Sequence, residues 1–170
     1  MNSHLNSEHF YVITGGPGSG KTSLIDALAA RGYQRSFEAG RALIQQQVAV
    51  AGRALPWADR LLFSELMLSW EIRSYQMAEK IPGLVFFDRG VPDVEGYLRL
   101  LKVPVPEHIR KAAEIFRYNR RVFLAPPWPE IYTQDLERKQ DSDEAVWTYE
   151  ALRDSYLDQA TKFTNFRAKL

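Results

Sequence analysis

The fold is decided by the stretch ITGGPGSGKTSL, residues 13–24, which places four glycines, a lysine and a threonine between two apolar flanks. It fits the pattern G-x-x-x-x-G-K-[ST] and lies between a strand-like run and an amphipathic helical pattern. Glycines let successive backbone N–H groups turn inward, because no side chain obstructs them and positive φ angles are allowed. A helix that begins near Gly20 adds its positive end to the same point. The stretch therefore predicts a cradle for the phosphates of a nucleoside triphosphate.

Each position of this loop has an expected role, and the predicted ligands are ATP and Mg²⁺. The lysine reaches the β- and γ-phosphates, and the threonine hydroxyl ligates the metal. The alternative is a glycine-rich turn with an exposed lysine, but the strand on one side and the helix on the other favour the cradle. The phosphate-binding positions are Gly15, Gly16, Pro17, Gly18, Ser19, Gly20, Lys21, Thr22 and Ser23.

A second acidic position is expected at the end of the apolar run LVFFDRG, residues 84–90. A phosphate loop needs a carboxylate near its metal, usually after a neighbouring buried strand, and Asp88 satisfies this requirement. The alternative is an Asp-Arg pair on the surface. ATP-hydrolysing motors commonly place a glutamate next, whereas this chain has Arg89, which suits a phosphoryl group in transfer. The Asn-Lys-x-Asp run of GTPases is absent from the sequence, so a kinase-like site is favoured.

Strand-like and helix-like segments alternate along the chain, which predicts a three-layer α/β fold. With the phosphate loop at its first strand, the expected fold is of the P-loop NTPase type. Its sheet is expected to be mostly parallel, with helices on both faces. Trp147 and Tyr156 lie at helical spacing and are predicted to be core residues. Four strands are clear and a fifth, in TKFTNF, is doubtful. The predicted strands lie near 10–14, 33–40, 84–90 and 120–127, and the predicted helices near 22–32, 41–52, 56–83, 92–102, 106–118 and 146–163.

The composition limits the classes of protein to which the chain can belong. A length of 170 residues suits one domain, residues 1–170, and the net charge of +1 implies no general surface for nucleic acid. No cysteine is present, which excludes a disulfide scaffold and a thiolate site. The polar N-terminus does not have the pattern of a signal peptide, and no run of about 18 apolar residues predicts a membrane span. We expect a cytoplasmic protein with neither nucleic acid nor membrane as a partner.

At this point the sequence resembles a known group, the P-loop predicted ATPases of the AAA-domain type that include the nicotinamide riboside kinase domain. More broadly, it resembles nucleoside and nucleotide kinases. The resemblance rests on the phosphate loop, on FEAGRALI (37–44), on VFFDRGVPD (85–93) and on FLAPPWPEIYTQDLERK (123–139). Together these segments span roughly residues 10 to 140. The resemblance implies ATP, Mg²⁺ and a small-molecule acceptor.

The resemblance also implies roles for residues that face the acceptor. Glu38 would accept the proton of an acceptor hydroxyl, and Arg41 and Asp93 would bind the acceptor with it. The alternatives are an ion pair between Glu38 and Arg41 on a solvated helix face, and a helix N-terminal charge for Asp93.

The resemblance further implies a mobile lid around residues 127–143. Within it, Arg138 would touch the transferring phosphate, with Lys139 as the second candidate, unless the segment is simply a solvated run of charges. The catalytic set is thus Lys21, Glu38, Arg89 and Arg138.

The C-terminal end departs from the family pattern, since a further apolar strand usually follows the lid helix. We expect a shortened end there. If the fifth strand is missing, a sheet edge would be exposed to a homodimer or a protein partner. Three functions therefore stay open. The first is an ATP-dependent phosphotransferase acting on a small nucleoside-like or other hydroxyl-bearing metabolite. The second is an ATPase or nucleotide-dependent switch that works with a protein partner. The third is a non-catalytic remnant.

Overall fold

The computed structural model describes residues 8–127, 142–158 and 162–165. Within these ranges strands and helices alternate as the sequence predicts. The strands are β1 (Phe10–Gly15), β2 (Gln34–Arg35), β3 (Val85–Asp88), β4 (Arg121–Ala125) and β5 (Lys162–Asn165). The helices are α1 (Lys21–Ala30), α2 (Ala39–Ala49), α3 (Arg60–Ala78), α4 (Val91–Leu100), α5 (Glu107–Ile115) and α6 (Ser142–Leu157).

All five strands run parallel in one sheet with the order β2-β3-β1-β4-β5. The central strand β1 pairs Ile13 with Asp88 of β3 on one side and with Phe123 of β4 on the other. The carboxyl ends of β1 and β3 therefore meet at the same edge of the sheet. In open parallel sheets this edge, where the strand order reverses, is where ligands bind.

Alternating residues of the central strands build a core on each face of the sheet. On one face, Phe10 and Val12 pack with Phe87 against helices α3 to α6. On the other face, Ile13 packs with Ile25 of α1 and with residues of β3 and β4. Burial on both faces explains why β1 and β3 are continuous apolar runs. The three-layer α/β fold expected from the sequence is thereby confirmed.

The doubtful fifth strand is present. Lys162–Asn165 pairs in parallel with β4, Arg121 lying opposite Lys162 and Leu124 opposite Asn165. β5 therefore covers β4, and the condition for an exposed β4 edge is not met. A homodimer or a protein partner at a sheet edge stays a prediction. The segment lacks the apolar run of an inner strand because it is an edge strand with one neighbour.

The longest helix is shorter at both ends than the sequence predicts. The long helix predicted over 56–83 begins only at Arg60, since Asp59 accepts a hydrogen bond at 3.0 Å from the Leu62 N–H and caps it. Its C-terminal end lies at Ala78, before Pro82. Across the part of the chain that is described, no helix has both the length and the apolar character needed to cross a bilayer.

Helix α6 corrects one core prediction. Its buried positions are Ala145, Thr148, Leu152, Ser155 and Tyr156, which lie on one face at helical spacing. The prediction for Tyr156 is confirmed, because its side chain is 2% exposed. The prediction for Trp147 is wrong, because its side chain lies on the other face and is 60% exposed. The expected lid falls mainly on residues 128–141, which lie outside the described residues.

Close packing of α4 against α6 predicts the effect of enlarging Gly96. A Cβ at this position would lie 2.9 Å from Leu152 Cδ2 and 3.1 Å from Ser155 Oγ. We expect Gly96→Val to destabilise the fold by about 1–3 kcal/mol through overpacking, lowering Tm by about 2–10 °C for a chain of this size. Thermal unfolding measures this, with the exposed Ala30→Val as the control for helix propensity. Equal Tm losses in the two variants would contradict the packing argument.

Candidate functional site

The phosphate loop leaves the carboxyl end of β1 in a conformation that requires glycine. Gly15 has a φ of 145°, and a Cβ on it would lie 2.8 Å from Ala125 Cβ and 3.0 Å from Ser19 Oγ. Gly20 stands immediately before α1 with a φ of 84°, in the left-handed region. The loop therefore wraps the N-terminal end of α1 and directs that positive end at the cavity.

Lys21 holds the inside of the loop together. Its Nζ donates to the carbonyl oxygens of Gly15 at 3.1 Å and Gly16 at 3.0 Å, and the side chain is buried. Burial, assisted by the nearby Arg89, lowers the pKa of Lys21 to about 8, although surrounding carboxylates oppose the shift. A lowered pKa means that the surroundings of this buried ammonium do not fully stabilise its positive charge. A phosphate group bound in the loop would supply the missing negative charge.

Asp88 ends β3 beside this loop, with a carboxylate oxygen unused. Among the described residues its Oδ1 has no hydrogen-bond partner although it is buried. Burial, together with the charge of Glu38, raises the pKa of Asp88 to about 6, while Lys21 and Arg89 oppose the shift. Ser19 Oγ of the loop is likewise buried and unpaired within the described part of the chain. Both orphaned atoms point to a ligand that completes the site.

Arg89 follows Asp88 in a strained backbone conformation. Its φ is 69°, which is uncommon for a residue with a side chain, and its N–H donates to the Ile13 carbonyl at 3.0 Å. Its guanidinium lies 3.4 Å from both Glu38 Oε1 and Asp93 Oδ1. Burial lowers the pKa of Arg89, but the carboxylates of Asp93 and Glu38 together raise it by more. The net shift of the pKa is therefore upward. The turn therefore fixes a permanent positive charge between two carboxylates.

Asp93 is a junction between three parts of the fold. Its carboxylate accepts hydrogen bonds from Thr14 of β1, from the Gly90 N–H at 2.9 Å and from the Tyr156 hydroxyl at 2.5 Å. Together with the ion pair to Arg89, these bonds use both carboxylate oxygens. The helix N-terminal role considered for Asp93 is thus present, since it caps the first turn of α4. Its role in binding an acceptor stays a prediction.

One cavity of about 1340 Å³ brings most of the predicted site together. It is larger than the roughly 300–1,000 Å³ of a typical site for one small ligand, so it has room for two ligands side by side. Arg41 lies at its exposed rim on α2. Arg138 and Lys139 lie outside the described residues. The predicted site residues along its wall are Pro17, Gly18, Ser19, Gly20, Lys21, Thr22, Ser23, Glu38, Arg41, Arg89 and Asp93.

Glu71 is a cavity residue that sequence reasoning missed. It lies on α3, is 3% exposed, and its Oε2 has no hydrogen-bond partner among the described residues. Burial raises the pKa of Glu71 well above its usual range, which favours the protonated carboxyl. The available signal was its position between Leu68 and Tyr75, since a carboxylate on the apolar face of a helix is unusual. Tyr97 of α4 was also missed, and its buried hydroxyl has no hydrogen-bond partner in the part of the chain that the structure describes.

The donor set fits Mg·ATP. No group of three or more acidic or histidine side chains within the described residues forms a ready-made metal site. Mg²⁺ does not require one, because it is usually held by one or two protein oxygens together with phosphate oxygens and waters. Thr22 begins α1 at the loop, and the orphaned Asp88 oxygen stands at the end of the neighbouring strand. These two residues would hold the metal.

The fold and the loop together define a P-loop protein with a five-stranded parallel sheet. The family model described as an AAA domain matches residues 10–169, nearly the whole chain. The chain belongs to this AAA domain family, and the family resemblance seen in the sequence is confirmed. No curated protein matches the chain in sequence.

Solved structures with the same fold include the NadR protein and two kinases. The NadR protein in complex with NR superposes with a TM-score of 0.69 at 17% identity, over 97% of this chain and 46% of that one. Deoxyadenosine kinase from M. mycoides with bound dATP gives 0.57 at 12% identity, over 92% and 90%. Thymidylate kinase from Ehrlichia chaffeensis gives 0.60 at 14% identity, over 94% and 90%. The chain thus spans less than half of the NadR protein, and these likenesses establish the fold.

The charge on Asp88 predicts a gain in stability when it is removed. Its folded pKa of about 6 lies above the ordinary 3.8, so folding stability falls as pH rises through this window. We expect Asp88→Asn to stabilise the ligand-free protein by about 2–3 kcal/mol at pH 8, raising Tm by about 4–10 °C. At pH 4 the two proteins should unfold at similar temperatures, because the aspartate is then protonated in the folded state.

Calorimetry at both pH values measures this difference, with Asp154→Asn, whose side chain is half-exposed, as the control. The same Asp88→Asn protein should lose the Mg²⁺ dependence of ATP binding. If Asp88→Asn had a lower Tm than the unsubstituted protein at pH 8, this would contradict the assignment of Asp88 as a buried carboxylate that lacks a cation in the ligand-free protein.

Proposed function

We propose that the protein is an ATP-dependent phosphotransferase acting on a small acceptor that carries a hydroxyl group. The observation that carries the proposal is the pairing of Glu38 with Arg89 at 3.4 Å in the cavity that the phosphate loop lines. A carboxylate that can take a proton thus lies beside a fixed cation, next to Lys21. Motors and switches need a water-polarising group at this turn, whereas a kinase needs a proton acceptor and neutralising charge.

On the nucleotide side, the loop and its lysine would bind ATP. Backbone N–H groups of residues 15–22 and the positive end of α1 would face the phosphates. Lys21 would exchange its bonds to the Gly15 and Gly16 carbonyls for phosphate oxygens. The metal, held by Thr22 and Asp88, would supply further positive charge at the phosphates.

On the acceptor side, Glu38 would act as the general base. The acceptor hydroxyl oxygen forms a bond to the γ-phosphorus as the bond from that phosphorus to the ADP oxygen breaks. The hydroxyl proton passes to Glu38 and then to solvent, so the products are the phosphorylated acceptor, ADP and a proton. Arg89 would neutralise charge on the group in transfer, as a positioned arginine does in related chemistry.

Asp93 and Arg41 would support the acceptor side in different ways. Because both oxygens of Asp93 already have protein partners, we propose that it positions Arg89. Arg41 stands at the exposed rim, where it would orient the incoming acceptor. Arg138, in the expected lid, is proposed to complete the charge around the transferred group.

Acceptor-dependent transfer of the γ-phosphate tests the function. Mg·ATP labelled on the γ-phosphate is incubated with and without a pool of nucleosides and small hydroxylated metabolites. We expect label on an acceptor, and a loss of at least about 10²-fold in the rate for Lys21→Ala, which removes charge stabilisation at the phosphates. Label released only as inorganic phosphate, at a rate independent of the pool, would instead support the ATPase or switch function. Full activity of Lys21→Ala would exclude the loop from the mechanism.

The general base predicts a specific kinetic change. Glu38→Gln keeps the size and polarity of the side chain but cannot take a proton, so kcat should fall by about 10²–10⁴-fold. The KM for ATP should change little, since Glu38 faces the acceptor. Steady-state kinetics with a responding acceptor measure both, and the exposed Glu65→Gln on α3 serves as the matched control. A kcat within about threefold of the unsubstituted protein would remove Glu38 as the base.

A further inference from the structure

Tyr156 is a buried phenol behind the wall of the cavity. It lies in the last turn of α6 and is not among the described residues that line the cavity. Its hydroxyl donates to Asp93 Oδ2 at 2.5 Å. Glu144, Thr148 and Leu152 of the same helix do line the cavity, and they precede Tyr156 at intervals of four residues. Side chains at this spacing follow one another along one side of a helix. Tyr156 therefore continues the row that forms this wall, but it reaches Asp93 instead of the cavity.

Helix α6 does not need this hydroxyl to keep its position against α4. A Cβ on Gly96 of α4 would lie 2.9 Å from Leu152 Cδ2 and 3.1 Å from Ser155 Oγ, so the two helices already touch there. Arg99 of α4 also forms an ion pair with Asp158, just beyond the end of α6. The phenol ring packs in the main core, where a phenylalanine ring would fill the same space. The role of the hydroxyl is therefore to be sought in the carboxylate to which it donates.

The carboxylate of Asp93 has several donors besides Arg89. It accepts hydrogen bonds from the Tyr156 hydroxyl, from the Gly90 N–H and from Thr14. These neutral donors stabilise its negative charge, and Arg89 Nη1 lies 3.4 Å from Oδ1. That distance is longer than the roughly 2.7–2.9 Å of a strong bond between an arginine and a carboxylate. Arg89 is therefore held only loosely by Asp93.

On its other side Arg89 faces the proposed general base. Its Nε lies 3.4 Å from Glu38 Oε1, so this contact is loose as well. A guanidinium held between two loose contacts responds to a change in either carboxylate. If Asp93 lost a donor, its charge would be less well compensated and would attract Arg89 more strongly. The guanidinium would then move away from Glu38 and from the group in transfer.

We propose that Tyr156 is a positioning residue for the transfer of the phosphoryl group. By donating to Asp93, it prevents that carboxylate from neutralising Arg89 fully, so the guanidinium stays beside Glu38 and the transferred group. Helix α6 thus contributes to the reaction through a hydrogen bond that touches neither ligand. The effect on transfer rests on the proposed function, whereas the effect on the position of Arg89 does not.

Steady-state kinetics with a responding acceptor test the effect on transfer. Tyr156→Phe removes the hydroxyl and keeps the ring. Its kcat should fall by about tenfold while the KM for ATP changes by less than about twofold, because Arg89 acts on charge that develops only during transfer. In an Arg89→Lys background, Tyr156→Phe should lower kcat by less than about twofold more, since both substitutions act on the same group.

Asp158→Asn is the matched control, because it removes a polar link between the same two helices that does not reach Arg89. Its kcat should stay within about twofold of that of the unsubstituted protein, since Asp158 is exposed and its ion pair contributes little. A loss of kcat in Asp158→Asn equal to that in Tyr156→Phe would show that only the docking of α6 matters, and would overturn the inference.

NMR spectroscopy of the ligand-free protein tests the effect on Arg89 directly. The Nε–H signal of Arg89 is identified by its loss in Arg89→Lys. In Tyr156→Phe this signal should shift and its proton should exchange faster with solvent, because the guanidinium moves away from Glu38. In Asp158→Asn it should not change. An Arg89 signal that is the same in Tyr156→Phe and in the unsubstituted protein would overturn the inference, whether or not the protein transfers phosphate.

The outcomes distinguish the inference from the proposed function. A shifted Arg89 signal in Tyr156→Phe, in a protein that transfers phosphate to no acceptor, would reject the kinase and keep the control of Arg89 by Tyr156. Transfer by Tyr156→Phe with a kcat within about twofold of the unsubstituted protein would keep the kinase and reject the role of Tyr156.

The reverse measurement decides if Tyr156→Phe does not fold, as seen by its Tm. Energetic coupling between two residues is mutual, so Arg89→Lys should shift the NMR signal of the Tyr156 ring carbon Cζ. An unchanged Cζ signal would overturn the inference.

Discussion

The site depends on the hydrogen bonds that the buried carboxylate of Asp93 accepts. This carboxylate joins the end of β1, the turn after β3 and helix α6 through hydrogen bonds from Thr14, Gly90 and Tyr156. Burial and the neighbouring carboxylate raise the pKa of Tyr156 well above its usual range, so the phenol stays a donor. Breaking a buried charged network leaves an uncompensated charge, which costs about 3–5 kcal/mol. The network therefore fixes three separate segments around Arg89 at once.

The arrangement of charge around Arg89 leaves the ligand-free site under electrostatic strain. Lys21 is buried with a lowered pKa of about 8, and Asp88 is buried with a raised pKa of about 6. In both residues burial disfavours the charged form, and the neighbouring opposite charges compensate for only part of this cost. Keeping Lys21 and Asp88 charged in the ligand-free protein thus lowers its folding stability, and a bound nucleotide and metal would supply the missing opposite charges. This is the pattern expected where function, rather than stability, determines the residues.

The sequence predicted those parts of the site that are local in the chain. The phosphate loop directly follows β1 and Asp88 ends β3, as the sequence predicts. The roles proposed for them come from short segments with a well-defined chemistry. Glu71 and the bond between Asp93 and Tyr156 could not be predicted in the same way. They depend on how α3, α4 and α6 pack against the sheet, and Tyr156 lies 63 residues from Asp93. β5 was doubtful for a related reason, since an edge strand carries a weaker apolar pattern.

The two halves of the cavity are therefore specified differently. The half proposed for the nucleotide comes from one continuous segment, residues 15–23, in which Gly15, Gly18 and Gly20 have positive φ angles that a side chain would strain. The half proposed for the acceptor is assembled from α2, α3 and α4, where each helix contributes a few side chains to a wall. Such a wall can change residue by residue while the sheet and the loop stay in place. This explains how structures only 12–17% identical to the chain share its fold, and why the acceptor must be inferred from this chain's own side chains.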